Sequence, residues 1–436
     1  MKISVVGLGF VGLSLASFLA TKGFNVIGID NNDEKRGKII QGQSPFFEPR
    51  LQNLLRKALK MKLEISDDFS LIKDSDFIFV TVGTPQKEDG SIELSFIKKA
   101  AKSIAKNING GKNKPIILIK STVVPGTIEN NIMPILEKNS KKQVDKEFGL
   151  ISNPEFLQEG SAVKNTKYPH LIVLGGSSTK FLEKTNKFFL SLHPNTPIIK
   201  TNYQTAELIK YANNSFLATK ISFINQIANI CERVPNSNID DIAKAIGMDP
   251  RIGNLFLNAG PGFGGSCLPK DLKAIINFAK KTGSDSTFLN AVEDVNKTQI
   301  NNITSIIKKS LGTLERKRIT VLGISFKPNT DDIRESKSIE LIKKLINNKA
   351  NVIVHDPKSQ KNTYQIFGNK IEYSNTLVDS IKKSQCMIIM TEWNEYRNIN
   401  NSLLNNMSKK LVIDCRRILS DQKLDAEYYA IGIGKD

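Results

Sequence analysis

The run KISVVGLGFVGLSLASFLATKGFNVIGID, residues 2–30, limits what this chain can fold into more than any other stretch. A strand-like apolar segment enters three glycines at GxGxxG spacing (Gly7, Gly9 and Gly12), and Phe10 and Val11 lie between them at the opening of a helix-length segment. A second strand then ends on Asp30. Glycines at such a turn allow a tight bend and let an anion approach the N–H groups that open the helix, where the helix dipole favours negative charge. Asp30, 18 residues after Gly12, stands where a carboxylate bonds the ribose hydroxyls of a dinucleotide. That carboxylate repels a 2′-phosphate, so NAD is expected over NADP, although Lys35 and Arg36 pull the other way.

A secretory leader is the competing reading of this N-terminus, and a glycine turn feeding directly into a second strand argues against it. No other apolar run approaches the roughly 18 residues that a membrane span needs. A soluble cytoplasmic protein without a membrane partner is therefore expected. Cys231, Cys267, Cys386 and Cys415 have no CxxC spacing, which fits neither a disulfide framework nor a zinc site, and no metal is expected. Lysine and arginine number 62 against 43 acidic residues, a formal charge of +19. The lysines are scattered and no nucleic-acid motif is present, so the basic surface reads as one that attracts small anions, with no nucleic acid as partner.

Beyond residue 30 the strand–helix alternation continues through DFIFVTVG, PIILIKST, FGLISN and HLIVLGG, runs apolar on both faces as in a parallel sheet covered by helices. A shorter version recurs in RITVLGISF, NVIVHDP, CMIIMTEW and KLVIDCRR, with Asp356 echoing Asp30 but without GxGxxG. Between them, residues 201–305 carry apolar positions at helical spacing. The expected fold is α/β, two Rossmann-like parallel-sheet domains joined by a central helical region. Its divisions are a dinucleotide-binding domain over 1–200, a helical dimerisation domain over 201–305, and a second sheet domain over 306–436 that holds a different ligand.

Several residue groups stand out at predicted strand ends and on the middle helices. Thr81–Pro85, including Thr84, and Ser121–Thr122 each close a strand, where ligands of open α/β sheets bind. In NPEFLQEG, Glu155 and Glu159 are four apart and would share a face if a helical turn formed there. Lys210 and Asn214 are also at i, i+4 on a long predicted helix, suited to donate to a developing oxyanion. A lysine that snorkels to water is the alternative. In GPGFGGSCLPKD, residues 260–271, Pro269 marks a helix start that places the Cys267 thiol near open N–H groups, with Lys270 and Asp271 close by. The alternative there is a tight turn around an inert thiol.

These stretches, with KSTVVPGT at 120–127, ELIKYANNSFLA, FLNAGPGFGGSCLPKD and LGISFKPNTDDIRES at 322–336, resemble the UDP-glucose/GDP-mannose dehydrogenase family in colinear order over nearly the whole chain. The resemblance implies four-electron oxidation of the C6 alcohol of a nucleotide sugar by two NAD, with Cys267 carrying first a thiohemiacetal and then a thioester. It implies that Lys210 and Asn214 stabilise oxyanions, that Asp271 and Thr122 position water, and that Glu155 is the base of hydrolysis. Asp30, Lys35, Thr84, Thr122, Glu159, Lys270 and Arg334 would meet NAD. The nucleotide sugar would meet Glu155 to Glu159 (with Phe156, Leu157 and Gln158), Lys210, Asn214, and the loop Phe256, Leu257, Asn258, Ala259 and Gly260. Gly264 and Lys327 would meet it too, and Arg251 from a neighbouring subunit, which implies a homodimer. Leu268 departs from the phenylalanine usual in the enzymes for UDP-glucose. GDP-mannose or a UDP-N-acetylhexosamine are the alternative substrates, and a two-electron dehydrogenase with a structural Cys267 is the alternative reaction.

Overall fold

The structure, a computed structural model, describes residues 1–108 and 114–434. They divide into two compact units, Met1–Asn213 and Asn214–Asp436.

Among the described residues the first unit forms one sheet from β1 (Lys2–Val6), β2 (Asn25–Ile29), β3 (Leu63–Ser66), β4 (Phe77–Val80), β5 (Ile116–Ile119), β6 (Gly149–Ser152), β7 (Ile172–Gly175) and β8 (Ile198–Thr201). Its order is β3-β2-β1-β4-β5-β6-β7-β8. The first six strands are parallel, and the reversal of strand order beside β1 opens the crevice in which such sheets bind ligands. β7 meets β6 antiparallel and β8 runs parallel to β7. The chain after β6 thus returns from the carboxyl end of the sheet instead of crossing over, a reversal that apolar runs alone do not encode. The inner strands FIFV, IILI, GLIS and IVLG are buried throughout, as a sheet covered on both faces requires. Helix α1 (Phe10–Thr21) leaves the glycine turn and packs Leu13, Ala16 and Leu19 into the same core as Ile3, Val5 and Phe79.

Helix α2 (Tyr203–Cys231) contains the boundary between the units. In the second unit, α3 (Ile239–Gly247), α4 (Leu268–Lys281) and α5 (Thr287–Leu311) precede β9 (Arg318–Leu322), β10 (Asn351–His355), β11 (Glu372–Tyr373), β12 (Cys386–Ile389), β13 (Leu411–Asp414) and β14 (Glu427–Ala430). The strand order β11-β10-β9-β12-β13-β14 repeats that of the first six strands, again all parallel. Ile224 and Ala228 of α2, and Ile300, Ile303 and Ile307 of α5, share a core with Ile319, Val321, Ile388 and Ile413 of this sheet. Arg417 adds polar ties, donating to both carboxylate oxygens of Asp240 at 2.9 and 3.0 Å and to the carbonyls of Ala259 and Ile431.

In the first unit a buried carboxylate secures a segment that bears on the site. Glu207, in the early turns of α2 and 2% exposed, accepts the N–H groups of Gly126 at 2.6 Å and Ile128 at 2.9 Å. Those residues end the segment that leaves β5 through Lys120 and Thr122. Burial pushes the Glu207 pKa up to about 7 from 4.5; the two N–H groups oppose the shift and the Glu129 charge adds to it. The folded carboxyl therefore binds its proton more tightly than the unfolded one. Its contribution to stability falls as pH rises from about 4.5 to about 7, by roughly 3 kcal/mol. Glu207→Gln has no such proton to lose. Thermal unfolding should show the melting temperature of this variant gaining on that of the wild type between pH 5 and pH 8. A difference that stays constant with pH would contradict the assignment.

Candidate active site

At the turn after β1, two of the three glycines are demanded by the protein itself. A Cβ on Gly12 would lie 1.8 Å from the Gly7 carbonyl oxygen and 2.5 Å from the Thr81 hydroxyl, while Gly7 is held at φ 96°. A Cβ on Gly9, by contrast, would meet nothing within 4 Å. That opening at the N-terminus of α1 suits a pyrophosphate drawn against backbone N–H groups. Asp30 closes β2, accepting the Leu8 N–H at 2.8 Å, the Asn32 N–H at 3.0 Å and the Lys35 ammonium at 2.8 Å. Burial opposes its ionisation, but Lys35 and the two N–H groups outweigh that and hold its pKa below the ordinary value. Arg36 donates to the Asp30 carbonyl, to Asp33 and to Asp67. The basic pair that obscured the choice of cofactor is thus engaged by carbonyl and carboxylate oxygens, and the turn fits a dinucleotide with a bare ribose.

Asp356 stands at the equivalent place in the second sheet. It accepts the N–H groups of Ile324, Ser325, Lys358 and Ser359, the Ser325 hydroxyl and the Trp393 indole N–H. Its oxygens are spent on the turn itself, consistent with a second sheet that serves a different ligand.

The carboxyl ends of β4, β5 and β6 bring the expected loops together. The Thr84 hydroxyl donates to the Thr122 carbonyl at 2.9 Å, and Ser121 donates to the Val82 carbonyl at 2.6 Å. The stretch Asn153–Gln158 is irregular, so Glu155 and Glu159 do not share a helical face; Pro154 and the turn at Glu159–Gly160 replace the helical turn considered from sequence. Glu155 instead accepts the Leu157 N–H at 2.5 Å and meets the Lys210 ammonium at 3.3 Å. Lys210 is buried, 5.3 Å above the Phe156 ring, which excludes the snorkelling alternative. Gln158 is exposed and Glu159 is partly buried.

Within the second unit, Cys267 occupies the position just before α4 and Pro269 lies in its first turn, the helix start that the sequence predicts. Asp271, 1% exposed, accepts the Asn214 amide at 2.6 Å, the Lys270 ammonium at 2.5 Å and has its own N–H on the Cys267 carbonyl at 2.9 Å. Four expected site residues thus meet around one helix start. The glycine-rich turn lies against LGISFKPNTDDIRES: a Cβ on Gly264 would come within 2.4 Å of the Glu335 carbonyl oxygen, and the Gly265 N–H donates to the Arg334 carbonyl. Arg334 pairs with Asp332, and Lys327 lies 5.4 Å over Phe326. A cavity beside this turn is lined by Gly262, Gly264, Ser325, Lys337 and Arg416. Phe256 is held at φ 65°, Leu257 and Ala259 face the core, Asn258 is exposed, and the Gly260 N–H is taken by Asn225. Leu257 and Ala259 can therefore offer a ligand only their backbone. Arg251 is exposed and paired with Asp249.

Four groups around these loops escaped the sequence reading. Lys120 donates to the Asn153 side chain, Glu207 secures the end of the Thr122 segment, Glu48 accepts the N–H groups of Gly160 and Ala162, and Arg416 lines the cavity. Lys120 opens KSTVVPGT and Glu207 lies three residues before Lys210, the signals that were available. Among the described residues no group of three His, Cys, Asp or Glu is placed to hold a metal, and no helix is long and apolar enough to cross a membrane.

Comparison with known proteins agrees with this layout. Three models of the UDP-glucose/GDP-mannose dehydrogenase family match in order: the NAD binding domain over residues 1–193, the central domain over 204–298 and the UDP binding domain over 320–421. The UDP-glucose 6-dehydrogenase of Haloferax volcanii is 37% identical over 98% of this chain and 99% of its own, and that of Rickettsia prowazekii 38% identical over 99% of each. The structure of a UDP-glucose dehydrogenase from Pyrobaculum islandicum superposes with a TM-score of 0.92 at 32% identity, covering 99% of this chain and 98% of that one. With its glycine turn, its two parallel sheets and all three family domains in sequence, the chain belongs to the UDP-glucose/GDP-mannose dehydrogenase family and is an NAD-dependent oxidoreductase of nucleotide sugars.

Proposed function

We propose that this protein is a UDP-glucose 6-dehydrogenase, converting the C6 alcohol of UDP-glucose to the carboxylate of UDP-glucuronate in the cytoplasm. The observation that carries the reading is Cys267 at the start of α4 with Asp271 one turn on, held by Asn214 and Lys270. Of the four cysteines it is the one not buried. The sugar nucleotide is named from relatives: those at 37–38% identity over the full chain act on UDP-glucose by name, whereas a GDP-mannose dehydrogenase structure superposes with a TM-score of only 0.56.

When bound, NAD takes one hydride from the substrate in each of two oxidations. The protein's part is to manage protons and charge. Lys210 and Asn214 stabilise oxygen as it becomes anionic, since buried, preoriented donors act strongly where water is excluded. The Cys267 sulfur adds to the aldehyde carbonyl, giving a thiohemiacetal; loss of hydride from that carbon gives a thioester. Water, positioned by Asp271 and Thr122 and relieved of a proton by Glu155, breaks the C–S bond and releases carboxylate and thiol. The balance is one alcohol, two NAD and one water to one carboxylate, two NADH and three protons. Asp30 and Lys35, with Thr84, Thr122, Glu159, Lys270 and Arg334, contact NAD; the UDP-sugar is held by 155–159, 256–260, Gly264 and Lys327.

A homodimer is part of this reading. Phe216, Phe223 and Ile230 are exposed at seven-residue spacing on α2, an apolar stripe suited to a second helix. Phe223→Glu should shift the mass in solution, read by light scattering, to that of a monomer. An unchanged dimer would move the interface elsewhere.

Turnover of UDP-glucose should yield two NADH per sugar, and a ratio of one with free aldehyde would favour the two-electron alternative. In Cys267→Ser the alkoxide is a far poorer leaving group than thiolate, so steady-state turnover should collapse and intact mass should reveal an acyl or hemiacetal adduct. Wild-type turnover by this variant would make Cys267 structural.

The glycine turn gives a separate test. Gly9→Ala should fold normally and lose NAD affinity by tenfold or more, because its Cβ enters only the space a pyrophosphate needs. Gly12→Ala should lose stability as well, by about 1–3 kcal/mol from forced displacement of the Gly7 carbonyl. Calorimetric titration with NAD alongside chemical denaturation distinguishes the two, and equal NAD affinity in Gly9→Ala would refute the placement of the pyrophosphate.

A further inference from the structure

Lys120 is an ionisable group enclosed among the site loops that the reaction scheme above does not use. It leaves the end of β5, and its ammonium donates to the Asn153 side-chain oxygen at 3.0 Å and to the Asn153 carbonyl at 3.4 Å. Asn153 is 1% exposed; its N–H continues the ladder to the Ile119 carbonyl and its amide donates to Val173 of β7. Everything about Asn153 is thereby fixed, and Asn153 is the root of the irregular loop that carries Glu155 two residues later. Pro154 between them removes a backbone donor and fixes one dihedral, so little freedom is left to pass from Asn153 to Glu155.

We propose that Lys120 is a positioning residue for Glu155: its ammonium locks Asn153 at the root of the loop and acts together with Lys210 on the same carboxylate. Two cations then serve one anion. Lys210 does so directly at 3.3 Å, and Lys120 through Asn153 and through its field. Burial lowers the Lys120 pKa to about 8; Glu155 opposes the shift and Lys210 adds to it. The charged groups that face Lys120 are Glu155 from the loop after β6 and Lys210 from α2, with His193, beyond the C-terminus of the Thr179–Leu192 helix, also within its field. His193 is held below its ordinary pKa chiefly by burial. Above pH of about 8 Lys120 sheds its proton, its field is lost, and its bond to Asn153 weakens from charge-assisted to neutral.

The inference rests on the role given to Glu155 above, and the two can fail separately. With the nucleotide sugar that the wild type oxidises, Lys120→Met should lower kcat by about 10- to 100-fold, the worth of one charge-assisted hydrogen bond. Its NAD affinity and near-ultraviolet circular dichroism should stay those of the wild type. Lys120→Arg keeps a positive charge at every accessible pH; it should restore kcat to within a few fold at pH 7 and move the alkaline limb of the kcat profile upward by a unit or more. A Lys120→Met enzyme with wild-type kcat would overturn the proposal. So would a folded Lys120→Arg enzyme that either fails to regain turnover or keeps the wild-type alkaline limb. If Glu155→Gln turns over normally, the role of Glu155 has failed; if Glu155→Gln is impaired while Lys120→Met is normal, only the inference about Lys120 has failed.

Discussion

At the carboxyl edge of a parallel sheet, the last backbone groups of each strand lose their ladder partners while the chain must still turn and leave. Groups buried there without partners cost as much as lost hydrogen bonds, so side chains have to meet them. In both units of this protein an acid at the end of the second strand does so for the turn after the first. Asp30 accepts the Leu8 N–H in one sheet, and Asp356 accepts the N–H groups of Ile324 and Ser325 in the other. The two acids differ in what remains. Asp356 is surrounded by donors from its own domain, including an indole N–H and two N–H groups of the following turn, and its turn is a closed structural device. Asp30 lies beside an open glycine position and the Lys35 ammonium, and its turn is left with room for a ligand.

The same requirement explains why the site loops of the first unit are held by charged groups at their ends. Lys120 and Glu48 secure the two ends of the loop carrying Glu155, and Glu207 secures the far end of the segment carrying Thr122. A buried ion is costly unless fully paired, and such costs are tolerated where position matters more than stability. The raised pKa of Glu207 and the lowered pKa of Lys120 record that cost on an acid and a base of one unit.

Much of this was legible in the sequence because the governing features are local. The glycine turn with Asp30, the helix start at Pro269 and the shared face of Lys210 and Asn214 each depend on spacing alone. The short strands β3, β8 and β14 were not seen, since LEIS, IIKT and EYYA lie near sheet edges, carry exposed positions and lack an apolar run. Nor could spacing foretell that Glu155 and Glu159 part company: their i, i+4 separation has meaning only on a helix, and the backbone there is irregular. Lys120, Glu48 and Glu207 were missed for a different reason. Charged residues are read as surface by default, and only three-dimensional enclosure shows which of them are inside.

Burial also sorts the four thiols into two kinds. Cys386 and Cys415 are wholly enclosed, with burial raising their pKa far above the ordinary thiol range, and Cys231 is buried beside the Ser237 hydroxyl. Thiolate is the form that alkylating agents and peroxides attack, and these three side chains are denied both ionisation and access in the native fold or, for Cys231, access. Cys267 alone keeps surface in contact with water. The native protein therefore presents one thiol to a thiol reagent and the unfolded chain four, so a titration before and after denaturant counts folded molecules, and oxidation of cysteine in the folded protein begins at a single atom.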